Sequence, residues 1–239
     1  MSRLLTMALV ETTRDPASYA VAAYDIDEET WVYFKGIPMA EFLDSSGNPV
    51  WDIFSITEAE YVEQRRGRDP RPGIVNLTNS SQPVITSRIT TDRARLQWLD
   101  EIASADVRSI YTSTEYFGLI PVREVNGVYF RVHEGKRRQR QFTLESPFYW
   151  EARVIFTDPS GAAWSFPCKD LRWKTYFWQQ VHERGRSVEE LQERWMDALN
   201  DNQTYCIIEI YPPMFDRPGD FGDGSGHYGA VSGIISIPI

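Results

Sequence analysis

One glutamate, one lysine and one aspartate in the second half of the chain have the residue types that a hydrolytic site requires. Glu151 lies in the apolar run YWEARVIF, and Lys169 and Asp170 follow the next apolar run. In metal-dependent nucleases, carboxylates hold the metal ion and a lysine organises the attacking water. These residues therefore give one hypothesis, a metal-dependent hydrolase, although glutamates are also common on the solvent-exposed faces of strands.

The other candidate metal ligands do not follow a spacing that would bring them together on one element. The chain has three histidines, which are far apart in the sequence: His133, His182 and His227. None lies in an H-x-x-x-H or H-E-x-x-H frame, which would direct two imidazoles at one metal ion from a helix. Three aspartates share one loop: Asp216, Asp220 and Asp223. Their spacing departs from the register of an EF-hand, so we predict no metal ion and no cofactor.

Sequence motifs for phosphate binding and nucleophilic catalysis are also missing. The segment GDGSGHYG, residues 222–229, carries four glycines. It precedes a strand-like run and not a helix, whose N-terminal amides would bind the phosphate. The chain has no G-x-x-x-x-G-K-S/T, no G-x-G-x-x-G before a helix and no G-x-S-x-G. The sequence therefore favours a binding protein over an enzyme.

Cationic side chains are concentrated in two short segments of an acidic chain. The net charge is −9, while residues 65–71 (RRGRDPR) carry +3 and residues 131–141 (RVHEGKRRQRQ) carry +4, which leaves −16 for the rest. An acidic body repels polyanions at long range, so a nucleic acid is held only where basic loops overcome that field locally. Aromatic residues flank the second segment, and bases stack on such rings when single strands are bound. The predicted nucleic-acid contacts are Arg65, Arg66, Arg68, Arg71, Tyr129, Arg131, Lys136, Arg137, Arg138 and Arg140.

The two basic segments have two other interpretations. Charged hairpin tips often serve only to keep a protein soluble. Basic loops also dock on acidic protein surfaces, so the protein is alternatively an interaction subunit with an acidic partner. The expected partners are therefore a single-stranded nucleic acid or another protein subunit.

The elements that must position these residues are predicted mainly as strands. This pattern is clear in the first half of the chain. SYAVAAYD (18–25) and TWVYFKG (30–36) flank a polar turn and predict a hairpin. VWDIFSI (50–56) predicts a third strand, and two shorter apolar runs between residues 74 and 89 predict one or two more.

The second half also begins with hairpin signals. PVREVNGVYFRV (121–132) predicts a hairpin because its Asn-Gly pair favours a type I′ turn, and GKRR then predicts the tip of the next one. FYWEARVIFTD (148–158) and AAWSFPC (162–168) are joined by Asp-Pro-Ser-Gly, a type I turn signal. TYCIIEIYP (204–212) and GIISIPI (233–239) predict buried strands.

Helices are fewer. Thr57-Glu-Ala-Glu60 and Ser187-Val-Glu-Glu190 both match the capping box that begins a helix. The apolar residues of DRARLQWLDEIAS recur at a spacing of three or four, which predicts another helix that connects two β units.

Short strands in two successive units predict small barrels. The segments VETTRDPASYAVAAYDIDEETWVYFKG, VIFTDPSGAAWSFPCKDLRW and RPGDFGDGSGHYGAVSGIISIPI resemble the pattern of bacterial dual OB-containing domains. The resemblance implies a mainly β fold of two OB-like β-barrels in tandem and an accessory role in bacterial defence or mobile-element systems. The expected units are residues 1–91, a helical connector over 92–116, and residues 117–239 with an inserted helix.

The bulk properties of the 239 residues fit a packed globular protein, since 42% are hydrophobic and 25% are charged. No run of eighteen or more apolar residues occurs, and charged residues interrupt the apolar N-terminal stretch before it could serve as a signal. We therefore expect a cytoplasmic protein without a membrane contact. Cys168 and Cys206 each lie in an apolar strand-like run, where a small buried hydrophobic side chain is the commoner interpretation.

Overall fold

A computed structural model describes residues 1–12, 17–44, 46–64, 71–78, 82–113, 115–134, 147–213 and 219–239. These residues form a mainly β protein with two sheets, one of which curls into a half-barrel. The first sheet precedes two helices in the chain, and the second sheet follows them.

In the first sheet, one bent stretch of chain supplies a strand near each end of the sheet. Its strand order is β5-β6-β3-β2-β1-β4-β7, in which only β3 and β6 run parallel. β4 and β5 are separated by Glu60 alone, and they pair with β1 and β6 respectively. One bent strand therefore links the two sides of this sheet. The strands are β1 Ser2–Glu11, β2 Ser18–Asp25, β3 Thr30–Pro38, β4 Ser55–Ala59, β5 Tyr61–Glu63, β6 Ile74–Leu77 and β7 Val84–Arg88.

The second sheet repeats this arrangement with the bend in a different strand. Its order is β8-β12-β13-β11-β10-β9, and β11 and β13 run parallel. Only Val122 and Arg123 separate β8, which pairs with β12, from β9, which pairs with β10. The elements are α1 Asp92–Ile102, α2 Val107–Thr112, β8 Phe117–Pro121, β9 Glu124–Val132, β10 Trp150–Thr157, β11 Ala163–Cys168, α3 Leu171–His182, α4 Val188–Asn200, β12 Gln203–Tyr211 and β13 Tyr228–Ile237.

Helix α4 covers the outer edge of β9. The amide of Phe130 donates to Gln192 Oε1 at 2.8 Å, and the Asn200 side chain bonds both the amide and the carbonyl oxygen of Val125, at 2.7 and 2.9 Å. Ser187 begins this helix by accepting a hydrogen bond from the Glu190 amide at 3.0 Å, which confirms that N-terminus. An edge strand left open would be a template for pairing with another chain, so α4 both fills the end of the sheet and protects it.

Three apolar cores hold the fold together. The first sheet encloses one core, and the second sheet with α2, α3 and α4 encloses another. The third lies between the sheets, where Ala22 and Tyr33 of the first pack with Leu119, Tyr205 and Ile235 of the second. Strands β1 to β3 are consequently buried on both faces.

Two local predictions are confirmed. The hairpin of β2 and β3 forms as expected. The predicted turn between β10 and β11 also forms, since the Gly161 amide donates to the Asp158 carbonyl oxygen at 3.0 Å and Gly161 takes a φ of +86°. That conformation favours glycine.

Three other local predictions are wrong. Asn126 and Gly127 do not turn the chain but form a bulge inside β9, where Val125 and Gly127 face neighbouring residues of β10 and Asn126 is the extra residue. Thr57 does not begin a helix, because residues 55–59 pair with strands on both sides. Of the predicted strand 50–56, only its last two residues are in β4.

Candidate functional site

An exposed tyrosine lies on the outer face of the second sheet. Tyr129 and Arg131 project outward from β9, while Val128 and Phe130 point into the core. Tyr129 is 50% exposed. Its ring covers Gly127, since a Cβ atom on that glycine would lie 3.1 Å from a ring carbon. The ring is therefore supported from below by the backbone and open to solvent.

Two arginines flank this ring. Arg153 of β10 is the direct cross-strand partner of Tyr129, and its Nη1 donates to the Ser165 carbonyl oxygen at 2.6 Å. Arg131 Nε donates to Glu151 Oε1 at 2.5 Å, while 75% of the Arg131 side chain remains exposed. An aromatic ring between cationic side chains is the arrangement with which proteins hold single strands.

Charged side chains continue from this face toward the first sheet. Lys169 directly follows Cys168, the last residue of β11, which pairs with Ala152 of β10, and Glu151 directly precedes Ala152. Lys169 Nζ lies 3.6 Å from Glu209 Oε2.

A buried ionic cluster, which includes Glu209, lies between the two sheets. Arg71 Nη1 lies 2.9 Å from Glu209 Oε1, and neither side chain has exposed surface. The same nitrogen donates to the Ile210 carbonyl oxygen at 3.1 Å, and the guanidinium lies 4.1 Å from the centre of the Tyr211 ring. Ser232 Oγ donates to the second carboxylate oxygen at 2.9 Å. Arg71, which we predicted to contact nucleic acid, is instead 3% exposed and binds the two sheets together.

The pKa values in this cluster follow from burial and charge. Burial raises the pKa of Glu209, but the positive charges of Lys169 and Arg71 outweigh it and hold that pKa below its ordinary value. Burial lowers the pKa of Lys169, and Glu209 opposes that change. Glu209 is therefore ionised at neutral pH, as the cluster requires for its stability.

The residues of the hydrolase hypothesis do not form one site. Asp170 is buried and accepts hydrogen bonds from the amides of Arg172, Trp173 and Ile234 at 3.0–3.1 Å, so it caps α3 and joins it to β13. Glu151 is paired with Arg131, and Lys169 with Glu209. Over the described residues, no group of three histidine, cysteine, aspartate or glutamate side chains is placed to hold a metal ion.

The acidic loop before β13 is organised by its own contacts. The Tyr111 ring stacks on Phe221 with centroids 4.5 Å apart, and its hydroxyl donates to Asp223 at 2.7 Å. Hydrogen bonds from Ser225 and Tyr111 lower the pKa of Asp223 to about 2. Asp220 accepts the Gly229 amide at 2.9 Å. Asp216 lies outside the described residues.

Most of the predicted basic contacts also lie outside the described residues: Arg65, Arg66, Arg68, Lys136, Arg137, Arg138 and Arg140. Segment 65–70 directly precedes Arg71, and segment 135–146 lies between β9 and β10 in the chain. Of the remaining three predicted contacts, Tyr129 and Arg131 share an exposed face and Arg71 is buried.

The sequence interpretation missed Arg153 and Glu209. The signal for Glu209 was present, since it is the single charged residue in the apolar run TYCIIEIYP, and a buried charge needs a partner. Cys168 and Cys206 are both free and buried, as expected.

A scan against models of known protein families and a search of curated protein sequences both find no match to this chain. Within the described residues, none of the helices has the length and hydrophobicity needed to cross a membrane.

Proposed function

We propose that the protein is a non-enzymatic module of two OB-like barrels that binds single-stranded nucleic acid across the outer face of β9, β10 and β11. The observation that carries the proposal is the half-exposed ring of Tyr129, flanked by Arg131 and Arg153 on an open sheet face. The resemblance to dual OB-containing domains adds a proposed setting, an accessory role in bacterial defence.

The strand pairing supports the OB-like interpretation of each sheet. In an OB barrel the first strand pairs with the second and the fourth, and the third pairs with the fifth in parallel. The first sheet follows this order if β4 and β5 count as one bent fourth strand, with β6 as the fifth. The second sheet follows it if β8 and β9 count as one bent first strand, with β12 and β13 as the fourth and fifth.

The burial of the two sheets favours one binding face over the other. OB barrels bind oligonucleotides on the face of their second and third strands. In the first sheet that face carries Ala22, Trp31 and Tyr33, which are buried against the second sheet. The matching face of the second sheet, with Arg153 and Ser165, is exposed. A ligand would therefore bind to the second barrel.

The position of the two basic segments in the chain order also supports the proposal. The loops after the first and fourth strands border the ligand face of OB barrels. In chain order, residues 136–140 follow the proposed first strand of the second barrel, and residues 65–68 follow the proposed fourth strand of the first.

The test is a fluorescence-anisotropy titration of labelled single-stranded DNA, single-stranded RNA and duplex DNA at two salt concentrations. The variant changes Lys136, Arg137, Arg138 and Arg140 to Glu. We expect single strands to bind the wild type, with an affinity that falls steeply as salt rises because counterions are released, and the variant to lose binding. No oligonucleotide binding at low salt would overturn the proposal and favour the acidic protein partner as ligand of these loops.

A further inference from the structure

A second surface, formed by α1, α3, α4 and the end of β13, has the character of a peptide groove. A cleft of about 550 Å³ lies between these elements, and a smaller one of about 270 Å³ adjoins it along α3 and α4. Tyr176 and Trp195 line both. We define the two clefts together as the helical groove.

The floor of the helical groove is aromatic. Trp195 packs edge-on against Trp173 and Tyr176, with ring centroids 5.6 and 5.7 Å apart. Tyr176 is 46% exposed, so part of this aromatic surface faces solvent. Leu199 and Ile235 extend the apolar lining inside the larger cleft. The groove thus has room for apolar side chains.

The rim of the helical groove is cationic. Five arginines line it: Arg95, Arg172, Arg184, Arg186 and Arg194. Two carboxylates, Asp52 and Asp170, line it as well. Both are already paired, Asp52 with Arg88 and Asp170 with Arg172.

The excess of positive over negative charge is greatest in the smaller cleft. Arg186 and Arg194 share the single carboxylate of Glu190, at 3.8 and 3.9 Å. Among the described residues, no carboxylate lies within ion-pair distance of Arg184, which is exposed. An exposed patch with more cations than carboxylates attracts an acidic ligand.

Trp173, which lines the larger cleft, carries a buried hydrogen-bond donor. Trp173 is 4% exposed, and its indole N–H has no acceptor within the part of the chain that the structure describes. Buried donors without an acceptor are rare and costly. This nitrogen has no exposed surface of its own, so the contribution of Trp173 to the cleft is its apolar ring.

We propose that the helical groove binds an acidic segment of a partner protein, with carboxylates on the arginines and an apolar side chain against the aromatic floor. An oligonucleotide fits less well, because its phosphates would meet an apolar cleft that also carries Asp52. The mode is that of an amphipathic helix whose apolar anchors, three or four residues apart, lie in a hydrophobic groove. This site does not depend on the nucleic-acid face, since the two share no residue.

The test uses the full chain and a fluorescein-labelled peptide of glutamate with leucine at every third or fourth position. The variant Arg184→Glu, Arg194→Glu reverses two exposed charges, and Arg131→Glu, Arg153→Glu makes the same charge change on the sheet face as its matched control. We expect wild type and control to bind the peptide and the groove variant to bind at least tenfold more weakly. A peptide with serine in place of leucine should also bind at least tenfold more weakly.

Failure of the wild type to bind the glutamate–leucine peptide would overturn this proposal, as would equal binding by the groove variant. Single-stranded DNA titrated into the same proteins separates the two sites. Loss of DNA binding in the groove variant, with retention in the control, would show that the groove holds nucleic acid and not an acidic peptide.

Discussion

Glu209 of β12 and Arg71, which precedes β6, lie 2.9 Å apart with both side chains fully buried, so one ion pair joins the two sheets across their shared core. Lys169 adds a second cation to the same carboxylate. Removing two charges from water is costly, and their mutual attraction only compensates when both partners are present. The pair therefore makes the two sheets depend on one another.

We expect Glu209→Gln to destabilise the protein by about 3–5 kcal/mol, because the buried positive charges of Arg71 and Lys169 would lose the negative charge of Glu209. Urea unfolding followed by tryptophan fluorescence measures this difference. Glu151→Gln is the matched control, since it breaks an exposed ion pair worth less than about 1 kcal/mol. Equal stability of the two variants would contradict the structural role given to the cluster.

We expect Tyr129→Ala to weaken single-strand binding by about 1–3 kcal/mol, which is the contribution of one base stacked on an aromatic ring. Its matched control is Tyr176→Ala, because Tyr176 is similarly exposed but lies in the helical groove. The same anisotropy titration measures both. If Tyr129→Ala binds DNA as the wild type does while Tyr176→Ala does not, the face assigned to nucleic acid is the wrong one.

The turn residue Asp158 should contribute to the pH dependence of stability. Its buried carboxylate accepts hydrogen bonds from Trp164 Nε1 at 2.8 Å and from the amides of Ala162 and Val107 at 3.1 and 3.3 Å. Burial raises the pKa of Asp158, but hydrogen bonds, from Ser160 and Trp164 above all, outweigh it and leave that pKa below the ordinary 3.8.

A carboxyl whose pKa is lowered on folding stabilises the protein above its unfolded pKa, and this contribution is lost as pH falls through the folded value. We therefore expect Asp158→Asn to cost about 1–3 kcal/mol at neutral pH. The difference from wild type should shrink below about pH 4. Thermal unfolding at neutral pH and near pH 3 measures it, and a difference that stays constant with pH would contradict the argument.

The edge of β9 offers a fourth test. Asn200→Ala removes both hydrogen bonds to Val125 and should cost about 1–3 kcal/mol. It should also promote association of chains through the opened edge. Light scattering and urea unfolding measure the two effects. Asn202→Ala is the control, since its side chain bonds only the carbonyl oxygen of Ala198 at the exposed end of α4.

Local signals predicted the elements whose partners are close in sequence. The hairpin of β2 and β3 and the turn at Gly161 depend on alternation and on a residue that tolerates positive φ, both of which are visible in a few neighbouring positions. Ser187 begins α4 for the same reason. Such interactions are complete within a short segment, so no distant residue changes them.

Long-range pairing reversed other signals. Thr57 matches a capping box, but hydrogen bonds to β1 and β7 on either side outweigh one helical cap. The Asn126–Gly127 pair is typical of a turn but forms a bulge here, because β10 pairs with the residues of β9 on both sides of Asn126. The local preferences for a helix cap and for a turn are therefore weaker than the pairing and packing of the strands in a sheet.

The residue pattern was enough to predict that the chain is mainly β, that its helices are few and that its cations are concentrated in two segments. Which side chains reach solvent depends on the tertiary fold. It buried Arg71 against Glu209, covered the outer face of β1 to β3 and left Tyr129 open. Burial depends on which faces of distant strands meet, and alternation along one strand does not specify the partner of either face.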